Sequence, residues 1–112
     1  MINEMVNDLG ETFGLLADPT RRRAVELLAA GPLRAGELAE QLGASRPAMS
    51  RHLRVLRTGG LVDVEFADAD ARGRTYRLRS AQLTALRAWL DQLQAHWNAQ
   101  LGSFKQHVEG SR

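Results

Sequence analysis

The sequence predicts a mainly α-helical domain with one small β-hairpin, in the order α-α-α-α-β-β-α. Three observations lead to this fold class. Apolar residues recur every three or four positions up to residue 58 and again from residue 80 to residue 108, as in amphipathic helices. Between these two regions the period changes to two, as in paired strands. Near the middle of the chain, a glycine-containing turn separates two short helices.

The first helix carries one apolar stripe, formed by Ile2, Met5, Leu9, Phe13 and Leu16. The pair Asp18-Pro19 then predicts the start of a second helix, with the aspartate as N-cap and the proline in the first turn. Three arginines follow, and we expect one of them to pair with an acid of the first helix, such as Asp8 or Glu11.

Residues 35–56 predict two helices that cross over a tight turn. Gly43 supplies the left-handed backbone that ends the first of them. Ser45 is the expected N-cap of the next helix, and Pro47 lies in its first turn. The residues expected to face the core of the domain are Met49, Leu53 and Leu56.

The second helix of this pair is basic on its exposed side. From Arg46 to Arg57 there are four arginines, one histidine and no acid, whereas an ordinary exposed helix mixes both signs. We expect His52 to hydrogen-bond a backbone group. The motif and the charge together predict binding to double-stranded DNA, with this helix in the major groove. The expected base contacts are Arg46, Pro47, Ala48, Ser50 and Arg51, and the expected phosphate contacts are Ser45, Arg54, Arg57 and Arg74.

A hairpin is predicted from alternating residues over about 61–79. Val62, Val64 and Phe66 alternate with acids, and Tyr76 and Leu78 alternate with polar residues. We expect Asp63 and Glu65 to pair with Arg77 across the strands, whereas Arg72 and Arg74 flank Gly73 at the tip. The hairpin makes the fold a winged helix-turn-helix, and Arg72 and Arg74 are added as DNA contacts of the wing. Asp68 and Asp70 in the same loop argue against wing contact.

The terminal helices carry more apolar surface than one small core can cover. A second copy of the chain would bury it, so the sequence predicts a homodimer formed through the N-terminal helix and a C-terminal helix over about 80–108. The expected interface residues are Leu9, Phe13, Leu86, Trp89, Leu90, Leu93, Trp97, Leu101 and Phe104. The alternative is a monomer whose long last helix folds over its own core.

Composition limits the other classes of protein. The chain has 112 residues and no cysteine, so we expect a single domain over 1–112 without disulfides or thiolate metal ligands. No apolar run reaches the length of a membrane span and no signal segment precedes the first helix, so we expect a cytoplasmic protein without a membrane partner. There is no catalytic grouping of side chains and no glycine-rich phosphate loop, so we expect neither an enzyme nor a cofactor.

Residues 16–62 resemble the core of the ArsR/SmtB family of bacterial winged-helix repressors. The resemblance includes Asp-Pro-Thr-Arg at 18–21, Ser-Arg-His-Leu-x-x-Leu at 50–56 and the wing sequence RGRTYRL at 72–78. It implies a homodimeric repressor with the terminal helices at the dimer interface. It also implies an operator that overlaps a promoter and an inducer that lowers the affinity for DNA.

The chain departs from the metal-sensing members of that family. The region of their thiolate site holds Ser50-Arg51-His52 here, and Gln94 and Gly110 occupy positions of the other metal site. His96 and His107 keep its spacing, so a metal-responsive repressor that uses them is one alternative. Another is a sensor of an unidentified small organic molecule held by Trp89, Trp97 and Phe104. A third is a winged-helix module that binds a protein instead of DNA.

Overall fold

The computed structural model describes the backbone of residues 2–66 and 74–110 and the side chains of residues 9–65 and 74–110. Its elements are α1 (Ile2–Ala17), α2 (Pro19–Ala29), α3 (Ala35–Leu42), α4 (Arg46–Thr58), β1 (Val62–Phe66), β2 (Arg74–Leu78) and α5 (Ala81–Gly110). The predicted fold class and element order are therefore confirmed. The predicted wing contact Arg72 and the acids Asp68 and Asp70 lie outside the described residues.

The predicted helix starts and the turn between α3 and α4 are confirmed. The Asp18 carboxylate accepts the backbone N–H of Arg21 at 2.9 Å, and the Ser45 hydroxyl accepts that of Ala48 at 3.2 Å. Each bond satisfies a backbone donor that the first turn of a helix leaves without a partner. Gly43 ends α3 with a φ of 64°, which a residue with a β-carbon adopts at a cost.

The hydrophobic core lies where α2, α3 and α4 meet the base of the hairpin. Met49, Leu53 and Leu56 of α4 are each 0% exposed, as the helical spacing predicted. They pack with α2, α3 and the start of β1 through a set of buried residues: Ala24, Val25, Leu28, Leu38, Ala39, Leu61 and Val62. Burying one side of α4 in this way leaves its opposite side facing outward.

The hairpin has the predicted pairing and an additional partner. In the antiparallel register Asp63 is opposite Arg77, whose guanidinium lies 3.7 Å from the Asp63 carboxylate and 2.9 Å from that of Glu65. Leu33, just before α3, also exchanges two backbone hydrogen bonds with Tyr76, at 3.1 and 2.8 Å. The hairpin is therefore attached to the segment that enters the helix pair.

The inner side of α1 differs from the predicted stripe. Thr12 and Leu15 are buried with Leu9, whereas Phe13 is 45% exposed and packs edge-on against Trp89 of α5 with ring centroids 5.6 Å apart. Positions 9, 12 and 15 also lie on one side of a helix, but Thr12 is polar and does not count as apolar in the pattern. Its hydroxyl donates to the Gln82 side-chain oxygen at 3.1 Å, which satisfies it where it is buried.

Two of the three arginines at the start of α2 bind backbone carbonyls, and the predicted acid partner Asp8 has its side chain outside the described residues. The Arg21 guanidinium donates to the carbonyls of Leu15 and Gly14 at 2.9 and 3.2 Å, and that of Arg22 donates to the Leu16 carbonyl at 3.1 Å. Among the described side chains, neither arginine forms an ion pair with Glu11. The last carbonyls of a helix have no partner within it and carry partial negative charge, so they bind these arginines at the junction of α1 and α2.

The junction of α4 and α1 depends on a glycine for close approach. A β-carbon at position 59 would lie 2.8 Å from Leu15 Cδ2 and closer still to Cδ1. Leu15 is buried, so it has little room to move. We expect Gly59→Ala to lower the free energy of unfolding by about 1–3 kcal/mol, as measured by urea denaturation.

Gly10→Ala is the matched control for this variant. A β-carbon at position 10 meets nothing within 4 Å, and alanine suits the interior of a helix better than glycine. We expect this change to raise the free energy of unfolding by up to about 1 kcal/mol. A Gly59→Ala protein as stable as the wild type would contradict the close packing described above.

Helix α5 packs on the domain only through its first turns. Gln82 donates to the Gly59 carbonyl at 2.6 Å, and Trp89 contacts α1 through Phe13. All residues from 90 to 110 are exposed, so the alternative of a tail helix folded over its own core is wrong. Within the described ranges, no helix combines the length and apolarity needed to cross a bilayer.

Candidate nucleic-acid interface

The predicted DNA contacts lie on the outward side of α4 and beside it. Ser45, Arg46, Pro47, Ser50, Arg51, Arg54, Arg57 and Arg74 are exposed, and Ala48 is half-buried. They share this surface because Met49, Leu53 and Leu56 hold the other side of α4 in the core. All four arginines of α4 are thus exposed, and none of them is held in the core.

The N-terminal end of α4 is capped by hydrogen bonds and follows directly on the end of α3. The Ser45 hydroxyl caps the start of α4. At the end of α3, the backbone N–H of Ala44 donates to the Ala39 carbonyl at 2.9 Å. A capping hydroxyl accepts a bond through a lone pair and still has its own proton to donate. Ser45 is therefore able to cap α4 and to donate to an anion at the same time.

Arg46 lies toward α3 instead of along the outer side of α4. Its Nη2 atom would be 3.1 Å from a β-carbon at position 36, so the guanidinium rests over the backbone of Gly36. It lines a surface groove together with Arg34, Arg74 and Tyr76. Sequence reasoning missed Arg34 and Tyr76, because nothing in the local pattern shows that β2 lies beside the start of α3.

His52 has a different partner from the one expected. Its Nδ1 lies 3.8 Å from the carboxylate of Asp18, the N-cap of α2, and not at a backbone group. The backbone N–H of Arg21 bonded to Asp18 holds the pKa of that carboxyl below its usual value, and His52 adds to the effect. Asp18 thus caps α2 and faces the side of α4 next to the core.

Because the pKa of Asp18 is lower in the folded chain than in the unfolded chain, ionised Asp18 stabilises the fold above its unfolded pKa. This contribution is lost as the pH falls through the folded pKa. Asp18→Asn keeps a side-chain oxygen for the cap and removes the charge. We expect its unfolding free energy to depend less on pH below about 4 than that of the wild type, as measured by urea titrations at several pH values. An equally steep acid dependence in the variant would contradict this assignment.

The two histidines considered for metal binding are not brought together. His96 and His107 lie on the single continuous helix α5, about 16 Å apart along its axis, so they cannot bind one ion within one chain. No group of three or more metal-ligating side chains of the His, Cys, Asp and Glu types occurs in the described ranges.

The aromatic residues considered for an organic ligand also remain apart. Trp89 is half-buried against α1, whereas Trp97 and Phe104 are 58% and 67% exposed farther along α5. Trp97 lines only a shallow depression on that helix, together with Leu90, Leu93 and His96. Within one chain, these three aromatic side chains do not enclose a pocket.

A helix pair with a basic outer helix and a hairpin beside it defines the class of winged helix-turn-helix transcriptional regulators. Residues 18–64 match the family described as "Bacterial regulatory protein, arsR family". The chain is 46% identical over 95 residues to the HTH-type transcriptional regulator Rv2034 of Mycobacterium tuberculosis, covering 84% of this chain and 82% of that protein. The protein therefore belongs to the ArsR family of transcriptional regulators, which is not a family of enzymes.

Two further comparisons agree with this assignment. Transcriptional repressor SdpR of Bacillus subtilis is 35% identical over 54 residues, covering 48% of this chain and 60% of that protein. The structure of an ArsR-like transcriptional regulator from Rhodococcus sp. RHA1 superposes with a TM-score of 0.78 and 29% identity, covering 98% of both chains. The last comparison includes α5, so the long terminal helix is shared with a solved structure.

Proposed function

We propose that this transcriptional regulator is a homodimeric repressor that binds a pseudo-palindromic operator in double-stranded DNA. The observation that carries the proposal is the outward side of α4, which presents Arg51, Arg54 and Arg57 and no acid while its other side is held in the core. A helix exposed in this way fits the major groove. Such a repressor acts in the bacterial cytoplasm, which contains the DNA that carries its operator.

Two kinds of contact are expected along α4. Residues near the helix start reach deepest into the groove, so Ser50 and Arg51 are assigned to base edges. Arg54 and Arg57 lie farther along the helix and are assigned to phosphates, with Ser45 and Arg74 at the edges of the surface. Base contacts confer sequence preference, whereas phosphate contacts add affinity that falls with salt.

The exposed side of α5 supports the homodimer. Apolar residues continue along it at helical spacing, and all are about half exposed or more: Leu90, Leu93, Trp97, Leu101, Phe104 and Val108. A long apolar surface of this kind is costly in water and is typical of an interaction site. A second copy is the occupant we propose, because two-fold symmetry then sets two α4 helices roughly 34 Å apart, one turn of DNA.

The effector of the repressor is proposed to be a small molecule that acts on the dimer. Trp89, Trp97 and Phe104 are spread along α5 and enclose no pocket within one chain, so any pocket built from them needs the partner protomer.

Selection of duplexes from a randomised pool, followed by fluorescence anisotropy at several salt concentrations, tests the DNA-binding function. We expect enrichment of inverted repeats with half-sites about ten base pairs apart and tighter binding to them than to random DNA. Analytical ultracentrifugation of the same preparation is expected to give a dimer. Absence of enrichment and of salt-dependent binding would contradict the proposal and favour a protein partner for α4.

A further inference from the structure

A groove beside α4 brings together three arginines from distant parts of the chain. Arg34 precedes α3, Arg46 begins α4 and Arg74 begins β2, and they line a surface groove of about 700 Å³. Ser50 and Tyr76 line it as well. Two acids of α3, Glu37 and Glu40, complete the charged lining, so the arginines outnumber the acids three to two. We call this feature the arginine groove.

The backbone fixes the separation of these arginines. Leu33 exchanges two hydrogen bonds with Tyr76, which holds the residue next to Arg34 against β2. The Glu37 carboxylate accepts the backbone N–H of Arg34 at 3.1 Å, so this acid is engaged in holding the start of α3. Gly36 has no side chain, and the Arg46 guanidinium occupies the space above it. The groove is therefore built by tertiary contacts between α3, α4 and β2.

We propose that the arginine groove binds a phosphate of the DNA backbone next to the major groove that α4 enters. The proposal rests on the DNA-binding function proposed above. A guanidinium presents a planar fork of N–H donors that matches phosphate oxygens. Ser50 belongs both to the groove and to the outward side of α4, so DNA in contact with α4 continues into the groove. Arg34 is then a further phosphate contact, and Arg46 is a phosphate contact instead of a base contact.

The first test compares Arg34→Gln with the wild type on a selected duplex and on random DNA. We expect both affinities to fall by the same factor, up to roughly tenfold at 0.1 M salt, and the slope of log affinity against log salt to decrease by about two units, one for each protomer of the dimer. Arg34→Lys is expected to restore the slope. Arg87→Gln, which removes the same charge from an exposed position on α5, is expected to change neither quantity.

If the protein binds DNA but Arg34→Gln leaves the salt slope unchanged, the proposal that the arginine groove binds a phosphate is overturned. The proposed DNA-binding function would then remain intact. A wild type without salt-dependent binding would overturn both. Thermal unfolding of each variant shows whether it is folded. If glutamine perturbs the start of α3, Arg34→Lys still tests the role of the charge, because it keeps the positive charge at this position.

Arg46→Gln distinguishes the two roles of that residue. A phosphate contact predicts equal losses on selected and random DNA, because every sequence has the same backbone. A loss confined to the selected duplex would mean that Arg46 reads a base and would overturn its place in the groove.

Discussion

Replacing Arg51 with alanine is expected to remove most of the preference of this protein for its operator. Arg51 is exposed near the start of α4, and its neighbour Ser50 faces the same surface. A bidentate bond from an arginine to guanine contributes about 1–3 kcal/mol to discrimination, which corresponds to a factor of roughly 5–150. Affinity for random DNA is expected to fall much less. Anisotropy titrations of the selected duplex, with random DNA as competitor, measure both.

Arg57→Ala is the matched control on the same helix. Arg57 lies nearer the end of α4 and is assigned to a phosphate, so we expect the substitution to weaken binding to all sequences alike and to lower the salt slope by about two units, one for each protomer of the dimer. If Arg51→Ala behaves in the same way, Arg51 contacts phosphate and sequence preference arises elsewhere on the surface.

The second large effect is expected at α5. Leu93→Glu combined with Trp97→Glu would place two carboxylates on the apolar surface, where Leu93 and Trp97 are 51% and 58% exposed in one chain. In a dimer these side chains would be buried, and an unpaired buried charge is strongly unfavourable. We expect the double variant to sediment as a folded monomer and to bind the inverted repeat at least about tenfold more weakly, because each half-site is then bound independently.

Ala99→Glu is the control for added charge on the same helix. Ala99 is exposed, and it is two residues from Trp97 and therefore lies on nearly the opposite side of α5. This variant is expected to remain dimeric and to bind DNA with little change. Dimerisation of the double variant at wild-type concentrations would mean that the exposed residues of α5 do not form the interface.

The helix starts and the core-facing side of α4 are local properties, and both were predictable. A cap depends on one side chain and the backbone three residues ahead, as with Ser45 and Ala48. The strand pairing was predictable for a similar reason, since Asp63 and Arg77 lie on strands joined by a single loop. The basic outward surface followed once Met49, Leu53 and Leu56 were assigned to the core.

The contacts that were not predicted join residues that no spacing or charge pattern in the sequence relates to each other. The hydroxyl of the buried Thr12 donates a hydrogen bond to the side-chain oxygen of Gln82, which is far along the chain. Arg21 binds carbonyls at the end of α1, and a carbonyl is present in every residue, so no side-chain pattern marks it as a partner. His52 faces Asp18 only because α4 crosses the start of α2.

By itself, the sequence determined the order of elements, the N-caps of α2 and α4 and which side of α4 is apolar, because these depend on neighbours within about one helical turn. It also determined the basic character of α4, since charge is read directly from composition. Only the tertiary structure decided where separate segments meet. The positions of Arg34, Arg46 and Arg74 around one groove depend on the Leu33–Tyr76 pairing and the packing of α3 on α4. Such long-range contacts are set by the packing of the whole core, which no local pattern specifies.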